Sequence, residues 1–356
     1  MSAQRSMPAV VHYELAPRHC ELRRVSVPEI GPDDVLLRVA AVGVCGSDVH
    51  QYHNTHSWPV RVPVILGHEF CGEIERVGER VDGFAPGQRV VSETAAVIDP
   101  TSFFCRTGRY NLDPSRRGFG YGVDGAMAPY VRVPARCLHA LPDSLDFTTA
   151  ALTEPCCVAY QSVVESSPVD PGDLVVVLGP GPIGLLCAQL ARISGASQVV
   201  VVGMGRDRDR LELARRHWAT ATFEVDRDDV AAALCEMGDG YGADVVIDAS
   251  GSSAALEAAL RWVRPEGHIT KVGWGPQPLG FSLDPLVQKA VTLKGSFSHT
   301  YPVWERVVRL LASGDLDPRP LVSRVSSLDE WQPCFEGMAT GELVKAVLIP
   351  DVAAVG

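Results

Sequence analysis

The sequence lacks several features that would assign its 356 residues to other classes of protein. Its ten cysteines include no CxxC pair, which indicates reduced thiols and one metal site at most, rather than a disulfide framework. No apolar run is long enough to span a membrane, and nothing near the start resembles a signal peptide. Acidic residues outnumber basic ones, and the net charge of −11 argues against nucleic acid or an anionic membrane as a partner. We therefore expect a soluble cytoplasmic protein.

The pattern of predicted strands and helices changes along the chain, and this change predicts two domains. Residues 1 to about 155 contain short β-type runs broken by glycine and proline, which predicts an irregular β domain. Between Leu174 and Ser296, short apolar runs alternate with helical stretches, as is typical of βαβ units in a doubly wound parallel sheet. The last 60 residues hold one helical stretch and two short strand-like pieces, and we expect them to return to the first domain. The predicted fold class is therefore α/β.

A glycine-rich segment stands at the first strand-to-helix junction of the second domain. The residues Gly179-Pro180-Gly181-Pro182-Ile183-Gly184 follow the apolar run VVVL and open a helical stretch. In this GxGxxG pattern the first glycine permits a tight turn, the second lets the backbone approach a pyrophosphate, and the third lets the helix pack on the strand. Free N–H groups at the helix start would bind the pyrophosphate. The pattern predicts a dinucleotide site, and a plain glycine turn is the alternative.

The end of the second strand in this domain bears on the choice of cofactor. NAD-binding domains usually carry an acidic residue there for the adenosine ribose, but the run QVVVV is followed by Gly203 and no acid. Arg206 and Arg208 come soon after, and arginine can hold a phosphate with two N–H groups. We therefore predict NADP rather than NAD. The acids that alternate with these arginines, Asp207 and Asp209, could instead neutralise them or reach the ribose.

Four residues are candidate zinc ligands. Cys45 lies in GVCGSDVH, His68 and Glu69 lie in GHEFCG, and Glu154 lies in LTEPCC. Thiolate, imidazole and carboxylate groups all bind zinc, and a catalytic zinc keeps one position open for substrate. Taken singly, a cysteine is more often a small buried apolar residue, and a histidine is more often a hydrogen-bonded core or surface residue. Spacing alone does not prove a site, because the four lie in three segments that are far apart in the sequence.

The order of five motifs makes the assignment more specific. GVCGSDVH, LGHEFCGEI, VDGAMAPYV, LTEPCCVAY and VVLGPGPIGLL follow one another along the chain. Together they resemble the zinc-containing medium-chain dehydrogenases, close to the sorbitol (iditol) and threonine dehydrogenase branch. The resemblance implies a GroES-like catalytic domain over residues 1–157 and 297–356, a Rossmann domain over residues 158–296, and an active site between them. We also expect a homo-oligomer, either a dimer or a tetramer.

The resemblance also implies roles for individual residues. Catalytic zinc would be held by Cys45, His68, Glu69 and Glu154. Ser47 would accept the alcohol proton and pass it through the nicotinamide ribose towards His50, while hydride moves to the nicotinamide ring. Further cofactor contacts are expected at Val272 and Phe297. One thiolate and two carboxylates around a divalent ion leave a net charge of minus one, so we expect a weak Lewis acid whose carboxylates exchange with water and substrate.

Two departures from this family bear on metal content and substrate. Many relatives bind a structural zinc through four cysteines on one loop, but the matching positions here carry Asp99, Ser102, Cys105 and Asp113. Because a structural site needs a closed set of strong ligands, we expect one zinc per chain, with Phe103 and Phe104 supplying packing in the loop. Sorbitol dehydrogenases tend to show Arg-Tyr where this chain has Phe297, Ser298 and His299. We therefore expect a polyol, sugar or cyclitol with neighbouring hydroxyls, and sorbitol itself is not favoured.

Two other functions remain as alternatives at this point. A zinc-free reductase of the same superfamily, acting on quinones or enones, would lack the ligands, whereas all four are present. A cofactor-binding protein without turnover would need neither Ser47 nor His50, and both are present. The expected function is therefore the interconversion of a secondary alcohol and its ketone by a zinc-dependent, NAD(P)-dependent oxidoreductase.

Overall fold

Residues 5–356 are described by a computed structural model, and they fall into two units. One unit comprises the chain up to Glu154 together with Thr300–Gly356, and the other is Pro155–His299. The chain therefore leaves the first unit once, forms the second, and returns. None of the helices in the described residues combines the length and apolar character needed to cross a bilayer.

The bounds of the elements are as follows. The strands are β1 (Ser6–His12), β2 (Cys20–Ser26), β3 (Asp34–Gly43), β4 (Val64–Ile65), β5 (Glu69–Val77), β6 (Arg89–Ser92), β7 (Tyr130–Pro134), β8 (Leu138–Ala140), β9 (Leu174–Leu178), β10 (Gln198–Gly203), β11 (Ala221–Glu224), β12 (Ala243–Asp248), β13 (Val263–Lys271), β14 (Thr292–Gly295), β15 (Val322–Ser327) and β16 (Lys345–Ile349). The helices are α1 (Gly46–Tyr52), α2 (Phe103–Arg106), α3 (Phe147–Ala150), α4 (Thr153–Tyr160), α5 (Pro182–Ile193), α6 (Arg208–His217), α7 (Val230–Met237), α8 (Ser253–Trp262), α9 (Asp284–Gln288), α10 (Tyr301–Ser313) and α11 (Trp331–Thr340). A π-helical turn, Gln161–Glu165, follows α4, and short 3-10 turns include Tyr110–Leu112 and Gly205–Asp207.

The first unit is built on two sheets of mainly antiparallel strands. The larger has the order β15-β16-β3-β5-β6-β8, with β7 also paired to β3, and the smaller has the order β2-β1-β4. Strand β3 is mostly buried, and its Val35, Leu37 and Val39 enter the main core of the unit. Because β16 pairs antiparallel with β3, the last part of the chain completes this sheet. The irregular β fold predicted for this part of the chain is confirmed.

The C-terminal segment has more helix than the sequence predicts. One helix is expected, and the structure has two, α10 and α11. Helix α11 contains Pro333 and Gly337, which weaken its helical pattern. Pro333 lies in the first turn, where its missing N–H has no helical partner to lose, and Trp331 and Phe335 are buried in the core. Burial of this apolar face therefore outweighs the poor helix propensity.

The second unit is built on a six-stranded sheet with the order β11-β10-β9-β12-β13-β14. All five strand pairings are parallel. Every residue of β9, LVVVL, is buried, as expected for a central strand of a parallel sheet. The strand order changes direction between β9 and β12, and nucleotides bind at such a point, outside the carboxyl ends of the strands. The doubly wound Rossmann sheet predicted from the sequence is confirmed.

A buried histidine links three separate parts of the first unit. His139 lies in β8, and its Nε2 atom is 3.1 Å from a carboxylate oxygen of Glu93, just after β6. Its Nδ1 atom is 2.6 Å from a carboxylate oxygen of Glu305 on α10. The hydroxyl of Tyr110 donates to the other Glu93 oxygen at 2.6 Å. This network fastens the C-terminal helix and the turn at Tyr110 to the strands of the larger sheet.

Candidate zinc and cofactor sites

Three side chains of the first unit converge at the start of α1 and the start of β5. Cys45 precedes α1, His68 precedes β5, and Glu69 begins that strand. Their ligand atoms lie within 4.8 Å of one another, and no other such group of three occurs in residues 5–356. Strand β3 leaves room for the Glu69 carboxylate, because a Cβ at Gly43 would collide with it. The fold thus brings Cys45 together with His68 and Glu69, which lie in a different segment of the sequence.

The electrostatics of this cluster favour a cation. His68 is buried, and its Nδ1 atom has no hydrogen-bond partner in the described part of the chain. Burial lowers the pKa of His68, but the charges of Asp48, Cys45 and Glu154 more than reverse this and hold the pKa well above its usual value. The same negative charges would stabilise a bound divalent ion. A thiol, an imidazole and a carboxylate are donors that fit zinc.

A buried lysine pairs with Glu69. Lys345, at the start of β16, is only 2% exposed, and its Nζ atom donates to a Glu69 carboxylate oxygen and to the Val44 carbonyl, both at 2.7 Å. Burial lowers the pKa of Lys345, but the charges of Glu69 and Cys45 raise it above its usual value, so the ammonium stays charged. This charge offsets the net charge of minus one expected for the ionised ligands. No local motif predicts the pair, because its members lie 276 positions apart.

Asp48, on α1, is a second supporting residue that was not predicted from the sequence. It is fully buried and accepts from the N–H of Cys45 at 2.9 Å. One of its oxygens lies 3.7 Å from Nδ1 of His68. Groups that orient metal ligands in this way commonly tune metal affinity. The motif GVCGSDVH contains Asp48, but its approach to His68 depends on the fold.

Glu154, the fourth predicted ligand, lies near the cluster but outside it. It is in the first turn of α4 and is 7% exposed. Its carboxylate is not part of the group within 4.8 Å, although its charge acts on His68, Glu69 and Lys345. The structure therefore brings three of the four predicted ligands together and leaves the fourth adjacent.

Ser47 and His50, the predicted proton relay, both lie on α1. The Oγ atom of Ser47 is 3.4 Å from Nε2 of His68, so Ser47 lies beside the cluster. His50 is exposed, and its Nδ1 atom forms a hydrogen bond of 2.9 Å with the Thr55 hydroxyl. No direct hydrogen bond joins Ser47 to His50 within the described chain, so a proton passing between them needs an intermediary.

The loop that replaces the four-cysteine motif is closed by hydrogen bonds. A carboxylate oxygen of Asp113 accepts from the N–H of Asp99 at 2.5 Å and from the thiol of Cys105 at 3.3 Å. The Ser102 hydroxyl accepts from the N–H of Cys105 at 3.2 Å. Phe103 is 66% exposed, and its ring centroid is 5.6 Å from that of Phe104, so the two aromatic rings pack on each other at the surface of the loop. Hydrogen bonds centred on Asp113 hold the loop beneath this pair.

The glycine motif of the second unit lies between β9 and α5. Gly179 has a φ of 93°, which other residues rarely adopt, and a Cβ at Gly184 would collide with the Gly179 carbonyl oxygen. Gly181 precedes the helix, and Pro182 and Ile183 open its first turn. No side chain caps this helix start, and the space around Gly181 is open, so its N–H groups can meet an anionic ligand.

Three further predicted cofactor residues lie at carboxyl ends of strands in the same sheet. Gly203 ends β10, and a Cβ there would lie 2.9 Å from Pro180 of the glycine motif. Val272 directly follows β13 and is buried. Phe297 follows β14, is 40% exposed, and has its ring centroid 6.0 Å from that of Trp274. These positions all belong to the edge of the sheet where the glycine motif lies.

The two predicted phosphate-binding arginines differ in their surroundings. Arg206 is exposed and takes no part in the hydrogen bonds or ion pairs of residues 5–356. Arg208 donates through Nε and Nη2 to the two carboxylate oxygens of Glu224, at 3.0 and 3.2 Å. This pairing raises the pKa of Arg208 and lowers the pKa of Glu224. Asp207 instead accepts from the Met204 N–H at 3.0 Å, so the acid that neutralises Arg208 comes from β11.

Known proteins are similar to this chain over most of its length. Residues 31–143 match the family described as the alcohol dehydrogenase GroES-like domain, and residues 182–313 match the family described as zinc-binding dehydrogenase. The chain is 36% identical over 345 residues to a sorbitol dehydrogenase of Halalkalibacterium halodurans. The match covers 97% of this chain and 99% of that protein. The chain belongs to the zinc-dependent medium-chain dehydrogenases.

Two further relatives place the dehydrogenase within its family. It is 36% identical over 327 residues to an L-threonine 3-dehydrogenase of Ruegeria pomeroyi, covering 90% of this chain and 94% of that one. A zinc-binding dehydrogenase of Sinorhizobium meliloti, solved with NADP bound, matches it with a TM-score of 0.89 at 32% identity, over 97% and 99% of the two chains. The predicted family, its sorbitol and threonine dehydrogenase branch and the predicted enzyme class are confirmed. The dehydrogenase is a zinc-dependent, NAD(P)-dependent oxidoreductase of secondary alcohols, as the sequence predicts.

Proposed function

We propose that this dehydrogenase interconverts a polyol, sugar or cyclitol and its ketone, and that it prefers NADP to NAD. The observation that carries the reaction is the cluster of Cys45, His68 and Glu69, with Ser47 beside it. The polyol character is supported by a glutamate, Glu154, next to the cluster, and by the similarity to a sorbitol dehydrogenase. A substrate with neighbouring hydroxyls offers further hydrogen-bonding groups to such a polar site.

The contacts support a role for each residue of the site. Zinc would be held by Cys45, His68, Glu69 and Glu154. When bound, zinc supplies the Lewis acidity that makes a hydroxyl easier to deprotonate, and the nicotinamide supplies the hydride acceptor. Asp48 orients His68 and the backbone at Cys45, and Lys345 holds the Glu69 carboxylate. Ser47 accepts the alcohol proton at Oγ as it gives up its own hydroxyl proton, which passes through an intermediary to the exposed His50 and from there to solvent.

The proposed cofactor site lies in the second unit. Its members are Gly179, Gly181, Pro182, Ile183, Gly184, Gly203, Val272 and Phe297. A preference for NADP is supported by the absence of an acid at the end of β10 and by the unpaired guanidinium of Arg206. We also propose domains of residues 1–157 with 297–356, and 158–296, whose limits lie within three residues of the boundaries of the two units.

The absorbance change of the nicotinamide cofactor tests these proposals when it is followed with a panel of alcohols, with both cofactors, and with and without a chelator. We expect a higher kcat/KM for polyols, sugars or cyclitols than for ethanol, a higher kcat/KM with NADP than with NAD, and loss of activity on chelation. A preference for simple primary alcohols would contradict the substrate class, and a preference for NAD would contradict the cofactor assignment. Activity that survives exhaustive chelation would point to a zinc-free reductase.

We also propose that the dehydrogenase is a homo-oligomer in the cytoplasm. Strand β14 is an edge strand whose four residues are all exposed, and Leu283 and Val287 nearby in the sequence are exposed apolar residues. Such edges and apolar side chains are typical of surfaces that associate. Sedimentation should give the mass of two or four chains, and the mass of one chain would contradict the proposal. The ten cysteines, all free, support a reducing compartment.

A further inference from the structure

Glu224 stands beside the end of the second strand of the Rossmann sheet. Strands β10 and β11 are parallel, and Gly203 and Glu224 are partners in their register. Position 203 has no side chain, so the carboxylate at this level of the sheet comes from the neighbouring strand. The side chain of Glu224 is only 14% exposed, although it lies at the edge of the sheet. An acid is therefore present near the expected place, but on β11 rather than on β10.

The Glu224 carboxylate occupies the face of Arg208 that would bind a phosphate. Its two oxygens accept from Nε and Nη2 of Arg208, at 3.0 and 3.2 Å. Arg227 donates to the same carboxylate at 3.3 Å. Arginine binds phosphate and carboxylate through the same fork of two N–H groups, so the two anions compete for one guanidinium.

Two other carboxylates occupy the backbone donors of the turn that follows β10. Asp226 accepts from the N–H of Gly205 at 2.9 Å, and Asp207 accepts from the N–H of Met204 at 3.0 Å. A phosphate at this turn would therefore meet occupied N–H groups and neighbouring negative charge. Arg206 is the predicted phosphate ligand that no acid of the described residues neutralises.

We propose that Glu224 is a specificity-determining residue, which weakens binding of the 2′-phosphate of NADP by holding Arg208 and leaves Arg206 as the main phosphate ligand. This inference rests on the proposed dinucleotide site. The inference implies that the ion pair between Glu224 and Arg208 reduces the preference for NADP. Loss of the Glu224 charge frees the Arg208 guanidinium and removes a repulsive charge, so the preference moves towards the 2′-phosphorylated cofactor.

Calorimetric titration of the intact dehydrogenase with adenosine 2′,5′-bisphosphate and with 5′-AMP tests this proposal without turnover. We expect Glu224→Gln to raise the affinity for the bisphosphate relative to 5′-AMP by about 5- to 10-fold at low salt, a gain of the size of one charge-assisted hydrogen bond discounted for exposure. The gain should shrink at high salt. The matched control is Glu257→Gln, which breaks an exposed ion pair of 3.2 Å with Arg261 on α8 and makes the same change in net charge.

The role of Arg208 is isolated by the double variant Glu224→Gln with Arg208→Ala, in which the gain should disappear. An affinity ratio that is unchanged in Glu224→Gln, or a gain that survives the loss of Arg208, would overturn the inference. These outcomes are distinct from failure of the proposed function. A wild type that binds 5′-AMP but prefers NAD contradicts only the proposed cofactor preference, whereas a wild type that binds neither nucleotide contradicts the dinucleotide site and this inference with it.

Discussion

Cys45→Ala and His68→Ala are each expected to remove zinc and activity together. Each variant deletes one of three donors that lie within 4.8 Å of one another. Loss of a group that merely orients a metal ligand lowers metal affinity or activity by about 10- to 100-fold, and loss of a donor should cost more. Zinc analysis by mass spectrometry after dialysis should give one zinc per wild-type chain and almost none in either variant. The kcat/KM for the best alcohol should fall in parallel.

The matched control for this experiment is Cys105→Ala. Cys105 is the one thiol left among the four positions of the altered loop, where it donates to Asp113. Its replacement should leave one zinc per chain and nearly full activity. Two zinc ions per wild-type chain, with one lost in Cys105→Ala, would mean that the loop holds metal. Full activity in Cys45→Ala would remove Cys45 from the site.

Lys345→Met is expected to destabilise the metal-free protein strongly. Lys345 and Glu69 are 2% and 1% exposed, and the methionine leaves the Glu69 carboxylate without its cationic partner. Breaking a buried ion pair by removing one partner typically costs about 3–5 kcal/mol. Urea unfolding with chelator present, followed by circular dichroism, should show this loss in the transition of the first unit.

A double variant separates the ion pair from the packing around it. Glu69→Gln with Lys345→Met removes both charges, so its free energy of unfolding should fall by less than the sum of the single losses. Lys345→Arg retains the charge and should fall between the wild type and Lys345→Met. Equal unfolding curves for wild type and Lys345→Met would show that this pair does not stabilise the unit.

The fold could be predicted from the sequence where local patterns are strong. The glycine motif after VVVL and the alternating segments that follow it predict the parallel sheet, and the structure confirms it. Helix α6 is one of these segments, and Trp218 at its end has a φ of −135°, outside the left-handed region that favours glycine. Helix α11 could not be predicted, because its stability comes from buried contacts of Trp331 and Phe335 rather than from propensity.

The candidate site was predictable only as far as its motifs extend. Cys45, His68 and Glu69 lie in recognisable motifs, and the fold brings them together. Lys345 belongs to no recognisable motif. A single lysine at the start of an apolar run looks like an exposed residue at the end of a strand, unless the position of that strand in the sheet is known. The charge count made for the four ligands therefore leaves out two buried neighbours, the ammonium of Lys345 and the carboxylate of Asp48. The pairing of Glu224 with Arg208 could not be predicted for the same reason, since it depends on the strand register.

The first unit is built from two segments of the chain that are separated by the whole second unit, and this order bears on how the enzyme folds during synthesis. Strand β3 and Glu69 emerge early from the ribosome, but β16, which supplies Lys345, emerges after the whole second unit. A nascent chain that stops before β16 already contains every strand of the six-stranded sheet. Its Glu69 carboxylate, however, still lacks the Lys345 ammonium with which it pairs in the folded unit. Because nascent chains fold from the N-terminus as they emerge, we expect the larger sheet of the first unit to be completed only after the second unit has been synthesised.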